Sequence, residues 1–200
     1  MSVVAAQELS PRLSLSVARG RFAATNEASQ AFFSAHCESV SGACRAMAGR
    51  FQAGGRLLVY GDGASRSDVA HVVVEFMHPV VIGKRALPAL ALDSVTTGMA
   101  RTDPVRLLDT LGRSTDIFML LADHACSDDE KRLLEYAGSM GMLTLELSGG
   151  SGDVSHQSSP SFVFAVPSED SCVVQETHEI LYHVLWELVH VFLDHRSVVA

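Results

Sequence analysis

A chain of 200 residues that is 48% hydrophobic is long enough to bury a continuous core as one compact domain, without help from disulfides or metal. A net charge of -8 with no Lys/Arg cluster argues against a nucleic-acid surface or an anionic membrane as the main partner. Cys37, Cys44, Cys126 and Cys172 form no CxxC pair, and the N-terminus lacks a basic segment before an apolar core. Neither a disulfide framework nor a signal peptide is indicated, and a cytoplasmic location is expected.

Residues 1–27 have mixed polarity, with Leu13, Val17 and Phe22 near helical spacing, and are expected to form a first helix or an arm. The α/β core is expected over 28–196. From Ala28 to Phe51 apolar residues at 32, 33, 37, 40, 44, 47 and 51 follow the helical period, and Gly54-Gly55 ends it. Cys37 and Cys44, two turns apart on that helix, are expected in the core.

Strand 56–60 leads into Gly61-Asp62-Gly63-Ala64-Ser65 and then a helix over 66–78 that Pro79 stops. A helix start after a strand exposes unpaired backbone N–H groups and partial positive charge, which makes a seat for an anion. Gly61 and Gly63 allow close backbone approach to a ligand, and Ser65 is expected to cap the helix with its hydroxyl turned outward. His71 and Glu75, four apart, share one face of that helix. By themselves they read first as a solvent-exposed pair.

Further on come a strand at 87–92, a polar loop at Asp93–Thr97, a short helix at 104–111 and an all-apolar strand at 117–121. A helix over 127–139 begins with acidic residues that complement its dipole. A strand at 143–147, a Gly/Ser-rich loop at 148–161, a strand at 162–166 and a long helix at 171–195 complete the chain. Glu187, His190 and Asp194 interrupt the last helix, so it is not a membrane span. His178 and His190 are expected at interfaces or in solvent, and Cys126 in packing. Alternating apolar strands and helices predict a three-layer αβα sandwich around a five-stranded parallel sheet. Ligands bind such sheets beyond the carboxyl ends of their strands.

The turn Gly61-Asp62-Gly63-Ala64-Ser65, followed by Asp68, His71 and Glu75, then Leu87–Leu92, and finally Gln175-Glu176-Thr177-His178 with His183, resembles the phosphoheptose isomerases of the sugar isomerase (SIS) fold. The resemblance covers about residues 30–195. It implies a flavodoxin-like sheet and aldose-ketose conversion of sedoheptulose 7-phosphate or a related sugar phosphate. Glu75 is implied as the base and His183 as the acid/base on the sugar oxygens. It also implies zinc, held in some members at the positions of His71, Glu75, Gln175 and His183. Gly61, Asp62, Gly63, Ser65, Arg66, Asp93, Ser127 and Gln175 are the implied substrate and phosphate contacts.

The chain departs from the family pattern after the third strand. The hydroxyl-rich STSGNS loop is here Ala122-Asp123-His124-Ala125-Cys126-Ser127, and Asp62 replaces the Asn of GNGGS. One carboxylate about 5 Å from a phosphate charge costs about 3 kcal/mol at an effective dielectric near 20. These departures keep a second function open: a non-catalytic sugar-phosphate-binding or regulatory SIS protein of the replication-initiator-associated type. Arg66 is expected to face a bound anion. Phe32, Phe33, Leu181, Trp186 and Val189 are expected to be exposed on a lone subunit, so that the chain forms a homo-oligomer, by family precedent a tetramer.

Overall fold

The computed structural model describes residues 11–79, 81–92, 103–150 and 160–196. Among the described residues five helices and five strands alternate except where β5 follows β4: α1 (Pro11–Gln52), β1 (Leu57–Gly61), α2 (Arg66–Met77), β2 (Ala89–Ala91), α3 (Pro104–Leu111), β3 (Ile117–Leu121), α4 (Asp128–Ser139), β4 (Leu143–Gly149), β5 (Phe162–Val166) and α5 (Ser171–Arg196). A short 3-10 turn, Gly63–Ser65, joins β1 to α2. The strands are parallel in the order β2-β1-β3-β4-β5. The expected three-layer architecture is therefore present.

Side chains alternate across the sheet and supply two cores. Leu57, Val59, Met119, Leu121 and Leu145 pack beneath α1, α2 and α5, whereas Leu58, Phe118 and Leu120 pack beneath α3 and α4. Helix starts are set locally. Asp103 accepts a hydrogen bond from the Val105 N–H ahead of Pro104, and Ser127 and Glu130 form a reciprocal capping box on α4.

Several expectations change. The arm over 1–27 and the helix over 28–51 are, within the described residues, one 42-residue helix, α1, because no residue between them breaks the helical path. The second strand is three residues rather than six, with Leu87 and Leu92 buried at its flanks. Phe32, Leu181, Trp186 and Val189 are buried within the subunit, since α1 and α5 pack on each other over the sheet. Phe33 is half-buried against the same core. Exposed apolar residues include Leu15, Val17 and Phe22 on the outer half of α1, the last of them 71% exposed, and Val81 and Ile82 after α2. Cys37 is exposed rather than in the core, whereas Cys44 is buried and its thiol is pushed up to about 12 by that burial. The Asp93–Thr97 loop and most of the 148–161 loop lie outside the described residues.

His178 and His190 also depart from expectation, since both are buried inside the fold. His190 meets the Trp186 and Arg85 carbonyls at 2.8 and 3.0 Å, and His178 Nε2 meets the Ser148 carbonyl at 3.2 Å. Burial pushes the His178 imidazole down to about 4, so between pH 6.5 and 4 the unfolded chain takes up a proton that the folded chain does not. Stability should therefore fall with pH across that window, by up to about 3 kcal/mol. Urea unfolding at pH 7 and pH 4.5 measures the loss, and His178→Gln should flatten it. An unchanged slope in the variant would assign the loss to other groups.

Candidate functional site

The strand order places a switch point between β1 and β3, where the connections leave in opposite directions and a crevice opens at the carboxyl edge. A cavity of about 430 Å³ occupies it, lined by Asp62 and Gly63 after β1 and by Asp123, Ser127, Asp129 and Glu130 around the start of α4. Gly63 has φ +57, a backbone state that suits glycine. Gly61 is required for a different reason than ligand approach: a Cβ there would lie 2.9 Å from the Leu121 carbonyl oxygen of β3. Its constraint is strand packing.

The hydroxyls and charges of this crevice are already engaged. Asp62 accepts from the Gly63 N–H at 2.8 Å and lies 3.5 Å from Arg66 Nε, so Arg66 faces its own chain's carboxylate. Ser65 stands at the N-cap position of α2, but it is buried and makes no capping hydrogen bond, contrary to the outward hydroxyl expected. Ser127 donates to Glu130 Oε2 at 2.7 Å, and its N–H donates to the same oxygen at 2.8 Å. The hydroxyl expected on a phosphate thus serves the capping box. Asp93 lies outside the described residues.

About one and a half turns into α2 a second group of polar side chains converges. His71 and Glu75 project from one face of α2, and α5, packed beside it, brings in His183. Glu75 Oε1 is 3.4 Å from His71 Nε2 and 3.8 Å from His183 Nε2. One donor atom from each of the three residues lies within 4.8 Å of the others. The Glu75 side chain is 16% exposed and those of the histidines 37% and 44%, so the group is shielded yet reachable.

Gln175, also on α5, is held by its amide nitrogen. Nε2 donates to Asp68 Oδ1 at 3.0 Å and to Ser67 Oγ at 3.2 Å. Asp68 is a carboxylate and the Ser67 hydroxyl donates elsewhere, to the Ala64 carbonyl, so both neighbours accept and the amide orientation is fixed. Burial pushes the Asp68 carboxyl up, and the hydrogen bond from Gln175 draws it back. Two residues of this neighbourhood have no counterpart in the sequence reading. Tyr182 meets His71 Nδ1 at 2.8 Å, and Glu179 Oε1 lies 3.8 Å from the same nitrogen. Positions 175, 179, 182 and 183 share one helical face, which is the signal that would have found them. Burial, then the carboxylates of Glu179, Asp68 and Glu75, hold the Tyr182 hydroxyl above the usual tyrosine range, so it stays protonated.

Two imidazole nitrogens and a carboxylate oxygen facing one another form a donor set suited to zinc with a position left open. The set equally suits proton transfer between a carboxylate and an imidazole. Among the described residues, no helix is long and apolar enough to cross a membrane.

No protein-family model matches the chain. Among curated proteins it is 30% identical over 166 residues to a phosphoheptose isomerase of Thermodesulfovibrio yellowstonii, covering 79% of this chain and 82% of the relative. It is 32% identical over 161 residues to a phosphoheptose isomerase of Pelodictyon phaeoclathratiforme, covering 76% of each. Among solved structures, a phosphoheptose isomerase from Francisella tularensis shares the fold, with a TM-score of 0.76, 24% identity and coverage of 88% of this chain and 98% of that one.

Proposed function

The chain belongs to the phosphoheptose isomerase family, and from that premise we propose that it interconverts an aldose phosphate and a ketose phosphate, sedoheptulose 7-phosphate or a related sugar phosphate, through an enediolate. The observation that carries this reading is the convergence of His71, Glu75 and His183 from two helices onto one small volume.

In the proposed reaction Glu75 takes the proton from the sugar carbon beside the carbonyl, and the electron pair of that C–H bond forms the enediolate double bond. The same carboxyl returns the proton to the neighbouring carbon. Glu75 Oε1 faces both imidazoles, so we assign Oε2 to the proton. His183 moves the accompanying proton between the two sugar oxygens. His71, Glu75 and His183 would hold zinc, with the Gln175 amide as a further oxygen donor. When bound, the metal supplies Lewis-acid polarisation of the sugar oxygens.

The acting unit is proposed to be a single SIS domain over 1–200, with its α/β core over 28–196, in the cytoplasm, a location supported by four free cysteines. A homo-oligomer, tetrameric by family precedent, is proposed to cover Leu15, Val17 and Phe22. Light scattering at micromolar concentration checks this, and a monomeric mass would remove it.

One observation favours a second reading, binding without turnover. The crevice carries Asp62, Asp123, Asp129 and Glu130 where a phosphate would lie, and Ser127 is occupied by its capping box. Exchange of solvent deuterium into C1 or C2 of sedoheptulose 7-phosphate decides between the two. Exchange supports the isomerase, whereas binding without exchange supports the regulatory protein.

The metal assignment has its own test. A zinc concentration a hundred times its dissociation constant should stabilise the fold by about 2.7 kcal/mol, read as a rise in melting temperature that chelator reverses. His183→Ala should abolish most of that rise. An equal rise in parent and variant would place the metal elsewhere.

A further inference from the structure

Tyr182 is 0% exposed, and its one polar atom is spent on His71, hydroxyl to Nδ1 at 2.8 Å with the rings edge to face, 5.2 Å apart and inclined by 72°. An imidazole gripped at Nδ1 presents Nε2 from its other edge, and here that nitrogen faces Glu75 Oε1 at 3.4 Å. A tyrosine hydroxyl both donates and accepts, so it satisfies Nδ1 whether or not that nitrogen carries the ring proton. Glu179, 3.8 Å from the same nitrogen and half exposed, can only accept. Tyr182 is therefore the group able to hold the ring in one aim both with Nε2–H turned to a carboxylate and with Nε2 bare for a cation.

We infer that Tyr182 is a positioning residue: its hydroxyl orients His71 so that Nε2 is presented to the space shared with Glu75 and His183, and this sets the affinity of that space for zinc. The inference rests on the zinc-capable centre proposed above. Second-sphere partners of ligating histidines carry 10- to 100-fold of metal affinity.

Tyr182→Phe keeps the buried ring and deletes only the hydroxyl. Zinc affinity is read by competition with a chromophoric chelator for the parent, Tyr182→Phe, His71→Ala and the double variant. Ring-nitrogen spectra of the zinc-free parent and Tyr182→Phe, with 15N-labelled histidine, report the contact itself. The expected result is a 10- to 100-fold loss in Tyr182→Phe, no further loss when it is added to His71→Ala, and displaced His71 nitrogen resonances. If the parent holds zinc tightly and Tyr182→Phe holds it as tightly, or if the loss persists undiminished on the His71→Ala background, the inference is overturned while the centre stands. Unmoved His71 resonances overturn it likewise. If the parent binds zinc no better than His71→Ala, the centre itself is refuted and the inference falls with it.

Discussion

Replacing Glu75 with glutamine is expected to cut turnover of sedoheptulose 7-phosphate by about 10²- to 10⁴-fold, the range a positioned general base contributes. The amide nearly matches the carboxylate in shape but cannot take a proton from carbon. Val72 and Phe76, buried on the same helix, hold the backbone of α2 in place, so the loss should fall on chemistry rather than on folding. Deuterium incorporation at C1 or C2, followed by NMR under saturating zinc, separates loss of the base from loss of a metal ligand. An unchanged exchange rate in Glu75→Gln would remove Glu75 from the base role.

The largest expected loss of stability lies at the other edge of the sheet. Asp116 is fully buried just before β3, and its carboxylate accepts from the Arg56 N–H at 2.9 Å, from Arg56 Nη2 at 2.6 Å and from the Arg113 N–H at 3.1 Å. Its own carbonyl accepts from the Leu143 N–H at 3.1 Å, so the residue ties the amino ends of β1, β3 and β4 together. Asp116→Ala leaves the part-buried N–H groups of Arg56 and Arg113 without this acceptor and the Arg56 guanidinium with the Leu111 carbonyl in place of a carboxylate, and is expected to cost about 3 kcal/mol. Asp116→Asn keeps one acceptor and should cost less. Urea midpoints of the three proteins measure both effects. A loss under 1 kcal/mol in Asp116→Ala would show that water replaces the carboxylate without penalty.

The sandwich was legible in the sequence because its strands are short and separated by helical periods. β1 and β3 are apolar runs buried along most of their length, and β4, which alternates Leu143, Leu145 and Leu147 with the buried polar Thr144, Glu146 and Ser148, still shows the period of a strand. The convergence of His71, Glu75 and His183 was legible through the family resemblance alone, since the spacing of His71 and Glu75 describes a surface pair as readily and nothing local ties α2 to α5. What the residues rest against was not legible. Hydropathy marked Phe32, Leu181, Trp186 and Val189 as needing cover, but the cover is α1 against α5 in the same subunit. Asp62 and Ser127 looked free to meet a ligand because hydrogen bonds to the near backbone and to Glu130 leave little trace in composition. Tyr182 escaped notice for the opposite reason, an aromatic residue inside an apolar helix face that turns out to carry a buried polar contact.

The polar trio stands on the flanks of two helices, whereas the crevice is framed by the turns that follow β1 and β3. Turns can be rewritten without repacking a helix pair. A lineage built this way can exchange the molecule it selects while inheriting its reactive machinery intact, and the acidic crevice beside an undisturbed trio is the imprint that such a history would leave.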